Sequence, residues 1–505
     1  MFRLFGPPGT GKTTTLLNMV DKALNDGTAP TKIAFLAFTK KAATEAKERA
    51  AKRFNLDPEK DLFYFRTLHS LAFSLIDVNK DQIMQPEHYR ELGKAIGFDL
   101  EATSDGDSDE GFGQVTKINH PVLNLVNLAR LCKNDLRKEY NHSNVSQDWI
   151  TVKYIHDSYM NYKNAFELYD FTDMLELFIK EGHHLCPHFE LTFLDEAQDL
   201  SPLQWDIAHL LDGKSNKMYC AGDDDQAIYK WAGADVDHFI NLEGGVETLT
   251  QSYRIPKNVH NLANNIAARI KNRFPKKYEP KQELGSVQRV YSVDELDLSQ
   301  GSWLILAQAQ YFLSNITEQL KSMGVFFETR RGLSVPASIA TAVMSWEALR
   351  KGKTITGEQA RKMYAYLLAH YGVKRGFKKL PGLMDDDKVT MDELVADHGL
   401  AVDPTLIWHE ALKLIPETER AYLTALLRRG EKITAEPRIK LSTIHGAKGG
   451  EADNVVILTD LTFAAANHAM DHPDEIHRVF YVAVTRTREN LFLVEPENFE
   501  RCYHL

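Results

Sequence analysis

The sequence predicts an α/β protein with two parallel-sheet lobes, each interrupted by a mostly helical insertion. Three observations predict it. Short apolar strands alternate with helix-spaced segments from the first residues onward. That β signal fades from about Leu75 to Asp170 and again between about Ser334 and Glu436. It resumes after each gap. Strands alternating with helices imply a parallel sheet covered on both faces. At 505 residues the chain exceeds one ordinary hydrophobic core, so two to four domains are expected. The resulting division places a first lobe at 1–74 and 166–250, with its insertion at 75–165. A second lobe follows at 251–333 and 437–505, with its insertion at 334–436.

Within the first lobe, Phe2 to Phe5 reads as a short strand and Thr13 to Leu24 as a helix. Lys32 to Phe38 is a buried-type strand, and the Ala/Lys/Glu-rich stretch from Lys40 to Phe54 a helix. The rhythm returns at Leu191 to Leu194 and Lys217 to Cys220. A second sheet is expected from Gln288 to Ser292, Ser302 to Ala307, Val325 to Thr329, Ile439 to Thr443, Asn454 to Leu458 and Asn490 to Val494. The acidic loop from Ser104 to Glu110 is similar to the start of a calcium site. Glu110 stands where the turn glycine belongs and Thr116 where the closing glutamate belongs, so a solvated loop is expected.

Composition sets broad limits. With 43% hydrophobic and 26% charged residues the chain reads as globular, and no apolar run is long enough for a membrane span. The first residues lack the apolar stretch of a signal peptide. Cys132, Cys186, Cys220 and Cys502 are scattered without a CxxC pair, which argues against a disulfide frame or zinc site and fits a cytoplasmic protein. A net charge of −10 neither requires nor excludes a basic nucleic-acid groove.

The chemistry lies in the motifs. Gly6-Pro7-Pro8-Gly9-Thr10-Gly11-Lys12-Thr13 matches the phosphate-loop pattern between a strand and a helix. Such a loop turns backbone N–H groups toward a β-phosphate, and the following helix adds its dipole. Lys12 would reach the β/γ oxygens and Thr13 would bind Mg²⁺. Leu194-Asp195-Glu196-Ala197-Gln198-Asp199 follows an apolar strand: Asp195 suits a second Mg²⁺ contact, and Glu196 suits the polarisation of an attacking water. Elsewhere an Asp-Glu pair is usually surface charge; the phosphate loop gives this one its meaning. Gln226 ends Gly222-Asp223-Asp224-Asp225-Gln226, where a glutamine can bond both a γ-phosphate and the attacking water. Three adjacent aspartates repel one another unless they serve Mg²⁺, backbone or basic partners.

Tyr229-Lys230-Trp231 places aromatics a few residues from Gln226. Exposed aromatics stack single-stranded bases at ~1–3 kcal/mol each, although core packing is the ordinary role of such side chains. Arg254 and Arg486 lie far downstream. Arginine can stabilise charge on a transferring phosphoryl group, but an isolated arginine is more often part of a surface ion pair.

Taken in order, these segments resemble the superfamily 1A helicases of the UvrD/Rep type over nearly the whole chain. Further matching motifs are Phe38-Thr39-Lys40-Lys41-Ala42-Ala43, Thr67-Leu68-His69-Ser70, Asp170-Phe171-Thr172-Asp173, Gln251-Ser252-Tyr253-Arg254, Ser442 to Gly449 and Tyr481 to Arg488. The resemblance implies two RecA-like lobes, 1A and 2A, with helical insertions 1B and 2B, and Mg²⁺-ATP gripped between the lobes. Lys12, Thr13, Thr14, Asp195, Glu196 and Gln226 would act from the first lobe, and Arg254 and Arg486 from the second. Tyr253 would stack on adenine and Glu451 would contact the ribose. Phe38, Thr39, His69, Tyr229, Trp231 and His445 would line a single-stranded DNA path. The implied activity is 3′→5′ translocation with unwinding of duplex. Single-stranded DNA and its junctions with duplex would be the partners, along with repair, replication or recombination proteins. No membrane role is implied, and the expected state is a monomer or weak dimer.

Some departures from the family pattern qualify this. Only five residues precede Gly6, so the glutamine motif that reads adenine is missing from this sequence, and a weakened preference for ATP over GTP is expected. Ala232, Gln308 and Gly450 replace family residues, which affects local DNA contacts more than hydrolysis. In the second insertion, His370 to Lys379 interleaves basic and aromatic residues. A solvated loop balanced by Asp385-Asp386-Asp387 is the expectation, and contact with duplex phosphates the alternative. Two rival functions are a translocase that strips proteins with little unwinding, and an ATP-switched recruitment module. Glu196 and the full set of phosphate contacts argue against the module.

Overall fold

The computed structural model describes residues 1–38, 40–100, 102–104 and 116–505. Thr39, expected on the DNA path, and residues 105–110 of the acidic loop lie outside the described residues. The chain divides into two compact units. One comprises Met1–Gly285 with Asn467–Thr485, the other Ser286–Ala466 with Arg486–Leu505. Residues 251–285, grouped by the sequence with the second lobe, thus pack in the first unit.

The first unit holds a six-stranded sheet. Its spatial order is Phe65–Thr67, Ile33–Ala37, Phe189–Leu194, Ser215–Gly222, Phe2–Phe5 and Gly245–Thr248. Every pairing is parallel. Ile33–Ala37 is buried along its whole length, as a strand covered on both faces must be, and this is why it reads as an unbroken apolar run. The register sets Phe5 beside Gly222, and Leu194 beside Leu36 and Cys220. The loops that begin at Gly6, Asp195 and Asp223 therefore leave the same edge of the sheet, outside the carboxyl ends of the strands, where ligands of such sheets bind.

Both edge strands of this sheet escape the sequence pattern. Phe65–Thr67 is three residues long, and Gly245–Thr248 exposes most of its side chains, so neither carries an apolar pattern. The first insertion is mostly helical, with helices Pro86–Ile96, Pro121–Leu131, Leu136–Asn141 and Trp149–Phe166. It has its own core, to which Tyr89, Leu92, Val126, Ile155 and Tyr159 belong. A buried ionic knot ties that core to the helix Phe171–Lys180. Lys163 Nζ lies 2.6 Å from Asp170 and 2.7 Å from Asp173, and Arg130 is 2.8 Å from Asp170. Asp170 and Asp173 also cap that helix reciprocally, which gives the Asp-Phe-Thr-Asp segment a structural task.

The second unit holds a seven-stranded sheet. Its order is Gly332–Leu333, Phe327–Thr329, Ile439–Thr443, Trp303–Ala307, Ala452–Leu458, Thr487–Val494 and Ser286–Val290. Only the hairpin of the first two strands is antiparallel. The insertion between about 334 and 436 is again mainly helical, but it shares one core with the sheet. Trp346, Tyr364 and Leu423 belong to the same cluster as Ile305, Ile439 and Val456. In the basic loop, Lys378 turns inward and donates to the carbonyls of Leu367 and Ala365, closing the end of the helix Gly357–Tyr364. Asp385 pairs with Arg361 rather than with the basic loop, so the expected charge balance between the two runs does not hold there. Among the described residues no helix is long and apolar enough to cross a membrane.

Candidate functional site

The strand Phe2–Phe5 runs into the loop Gly6 to Gly11, and the helix Lys12–Asn25 follows directly. Gly6 N donates to Gly222 O at 2.9 Å, while Thr10 donates to Pro7 O through both its amide and its hydroxyl. Two glycines are required here. A Cβ at Gly6 would occupy the space of the Lys12 stem. At Gly9, where φ is +73°, it would overlap Arg254 and come within 2.8 Å of Ser252 Oγ. The helix has no side-chain cap and no acid in its first turn, which leaves its N-terminal donors suited to an anion.

Asp195 and Glu196 leave the end of Phe189–Leu194. Asp195 N donates to Leu36 O at 2.8 Å, and the buried carboxylate accepts from Thr13 Oγ1 at 2.7 Å. Lys12 Nζ sits 3.3 Å from Glu196 Oε1. Glu196 takes a left-handed backbone, φ 56°, a conformation unfavourable for a side-chain-bearing residue and tolerated where the surroundings enforce it. Burial, then the neighbouring Glu196, push the Asp195 carboxyl up to about 6. Burial by itself would lower Lys12, but Glu196, Asp195 and Asp223 outweigh it, and the ammonium is raised and charged. Thr13 and Asp195 present a hydroxyl and a carboxylate side by side, hard oxygen donors that fit Mg²⁺ beside a phosphate.

Gln226 is buried, and its Nε2 donates to Asp223 Oδ2 at 2.7 Å. Between it and Glu196 lies Gln198, to which its motif alone assigns no role. Gln198 Nε2 donates to Glu196 Oε2 at 2.5 Å, and its Oε1 accepts from Asp223 N at 3.0 Å. Its side chain thus links the loops of two adjacent strands. The triple aspartate is satisfied by basic and backbone partners. Lys276 contacts all three carboxylates, Arg273 grips Asp225 with two nitrogens, and Phe274 N donates to Asp224 at 2.7 Å. Arg478 Nε adds a bond to Asp224 O at 2.9 Å.

Gln251 to Arg254 docks on the phosphate loop: Ser252 Oγ donates to Pro8 O at 2.8 Å, and Tyr253 N donates to Gly9 O at 2.9 Å. The Tyr253 ring is exposed. Arg254 Nη1 reaches Thr485 O at 3.5 Å. The aromatic candidates divide by burial. Phe38 and Tyr229 stack at 5.7 Å and are buried, as is His69 against Phe171. Trp231, edge-on to Tyr229 at 6.3 Å, is 60% exposed. In the second unit Arg486 is buried with Nη1 3.3 Å from Gly450 O, Glu451 pairs with Arg488, and His445 starts a short turn after Ile439–Thr443.

A parallel sheet carrying a phosphate loop, an acid pair and a glutamine at adjacent strand ends defines a phosphate-loop α/β protein. The chain belongs more narrowly to the UvrD/Rep helicases of superfamily 1. Residues 3–246 match the UvrD/REP helicase N-terminal domain and residues 409–498 the UvrD-like helicase C-terminal domain. It is 26% identical over 291 residues to the ATP-dependent DNA helicase PcrA of Leuconostoc citreum, covering 53% of this chain and 37% of that protein. Against the Staphylococcus aureus PcrA the identity is 25% over 287 residues, covering 53% of this chain and 38% of that protein. The matched stretch therefore spans well under half of these relatives' length. An alignment with an arterivirus nonstructural protein 10 (helicase) in complex with DNA covers 99% of this chain and 62% of that one, at 11% identity and a TM-score of 0.36, too slight to add to the family match.

Proposed function

We propose that this protein is an ATP-driven DNA helicase that moves 3′→5′ along single-stranded DNA and separates duplex ahead of it. The observation that carries the reading is the convergence of Lys12, Thr13, Asp195, Glu196 and Gln226 at one sheet edge in a member of the UvrD/Rep family. The phosphate loop binds the triphosphate, with Lys12 and the helix N-terminus meeting its charge. Thr13 and Asp195 would hold Mg²⁺, which would supply neutralisation of phosphate charge when bound. Glu196 takes the proton of the attacking water, and Gln226 orients that water. Tyr253 offers an exposed ring to the base. Arg254 and Arg486 stabilise charge developing on the transferred group, and Glu451 contacts the ribose. Two RecA-like lobes, 1A and 2A, with helical insertions 1B and 2B, form the motor. Trp231 stacks on DNA bases, with Phe38, His69 and Tyr229 beside it.

The test is ATP hydrolysis and strand separation on duplexes bearing a 3′ or a 5′ single-stranded tail, with Glu196→Gln as control. Hydrolysis stimulated by single strands, with unwinding from the 3′ tail alone, is the expected result. Unwinding only from the 5′ tail overturns the polarity. Stimulated hydrolysis without unwinding identifies a translocase, and slow hydrolysis indifferent to DNA a nucleotide-switched binding module.

A further inference from the structure

Lys276 has its ammonium almost wholly buried, 3.1 Å from Asp223, 2.6 Å from Asp224 and 2.7 Å from Asp225. An ammonium has three N–H donors, and here each has a carboxylate to meet. Aromatic rings cover one side of the ammonium. The Phe5 ring lies 5.8 Å from Nζ and stacks on Phe274 at 4.1 Å, and Phe5 is the residue immediately before the phosphate loop. Low polarity around a fully satisfied cluster strengthens each of its bonds and fixes their geometry.

Asp223 is the member of this cluster with a second task. Its Oδ1 faces Lys276, its Oδ2 accepts from Gln226 Nε2 at 2.7 Å, and its backbone N donates to Gln198, the partner of Glu196. We propose that Lys276 is a positioning residue for hydrolysis: by pinning Asp223 it fixes the plane of the Gln226 amide relative to Glu196. The inference rests on the ATPase reading above and assigns that site a component outside its matched motifs. The charge balance agrees with it. Burial would lower the Lys276 ammonium, but the three carboxylates outweigh this and raise it, so the cation persists. Burial also pushes Asp224 up to about 6, whereas at Asp225 the opposing pull of Lys276 and Arg273 wins and its carboxyl is held low. Without Lys276, Asp223 would lie beside two further carboxylates with no cation in direct contact, and its hold on Gln226 would loosen.

The experiment is a double-mutant cycle on steady-state ATP hydrolysis by the full chain, using Lys276→Met, Gln226→Ala and the pair combined. Lys276→Met is expected to lower kcat by about 10²-fold, the cost of a misplaced reacting group, with KM for ATP little changed. In the Gln226→Ala background the same substitution should cost nothing further. Losses that multiply in the double variant, or a rise in KM that accounts for the whole effect, overturn the inference. Should Lys276→Met fail to fold, Asp223→Asn replaces it in the cycle, since Lys276 then keeps Asp224 and Asp225. Wild-type kcat in Asp223→Asn overturns the inference equally. The cycle is read on basal hydrolysis, so missing stimulation by single-stranded DNA refutes the motor and leaves the Lys276 result standing by itself. A wild type that hydrolyses no ATP refutes both.

Discussion

Lys12 Nζ and Glu196 Oε1 lie 3.3 Å apart, which joins the cation proposed to meet the γ-phosphate to the carboxylate proposed to activate water. In the proposed mechanism a triphosphate that recruits Lys12 would take that partner from Glu196. Glu196→Gln removes the base while keeping the shape. It should lower kcat by about 10²–10⁴-fold while ATP still binds. Single-turnover hydrolysis and equilibrium binding of a fluorescent ATP analogue check the two halves. Turnover near the wild-type rate would remove Glu196 from the mechanism.

Gly9 is confined by a positive φ and by the Gln251 to Arg254 segment at once. Gly9→Ala should push Ser252 and Arg254 off the loop, breaking the bonds from Ser252 to Pro8 and from Tyr253 to Gly9. The expected outcome is loss of the thermal stabilisation that ADP with Mg²⁺ confers on the wild type. An unchanged ligand-induced shift in Tm would contradict this packing role.

Trp231 is the exposed end of the aromatic series that starts at Phe38. Replacing it with alanine should weaken binding of an oligothymidine by roughly 5- to 150-fold, the equivalent of ~1–3 kcal/mol of stacking. Fluorescence anisotropy titration at fixed salt measures this. Equal affinity in Trp231→Ala would take the ring off the DNA path.

His69 links acidity to stability. Burial pushes its imidazole down to about 4, below the value of about 6.5 for an unfolded histidine. The unfolded chain therefore binds the proton first as the pH falls. Stability is full above about 6.5 and is lost between there and about 4, by about 3 kcal/mol at the acid end. His69→Gln should lose correspondingly less between pH 7 and pH 4.5 in denaturant titrations. Parallel losses in both proteins would show that other groups govern the acid limb.

Much of this protein was legible in the sequence because the information is local. A phosphate loop is a strand, a turn and a helix start within the first residues, and its glycines, lysine and threonine declare themselves by spacing. The strands of both sheets announced themselves where they are buried on both faces, as at Ile33–Ala37 and Trp303–Ala307. What only the tertiary structure decided is which distant groups neutralise, bury or aim the local ones. Asp223, Asp224 and Asp225 pose a charge problem in the sequence whose solution, Lys276 with Arg273, lies about 50 residues away. The burial of Phe38 and Tyr229 and the exposure of Trp231 are likewise absent from the aromatic pattern that singled them out. Electrostatic pairing and solvent exposure depend on distances through space. They leave no period along the chain.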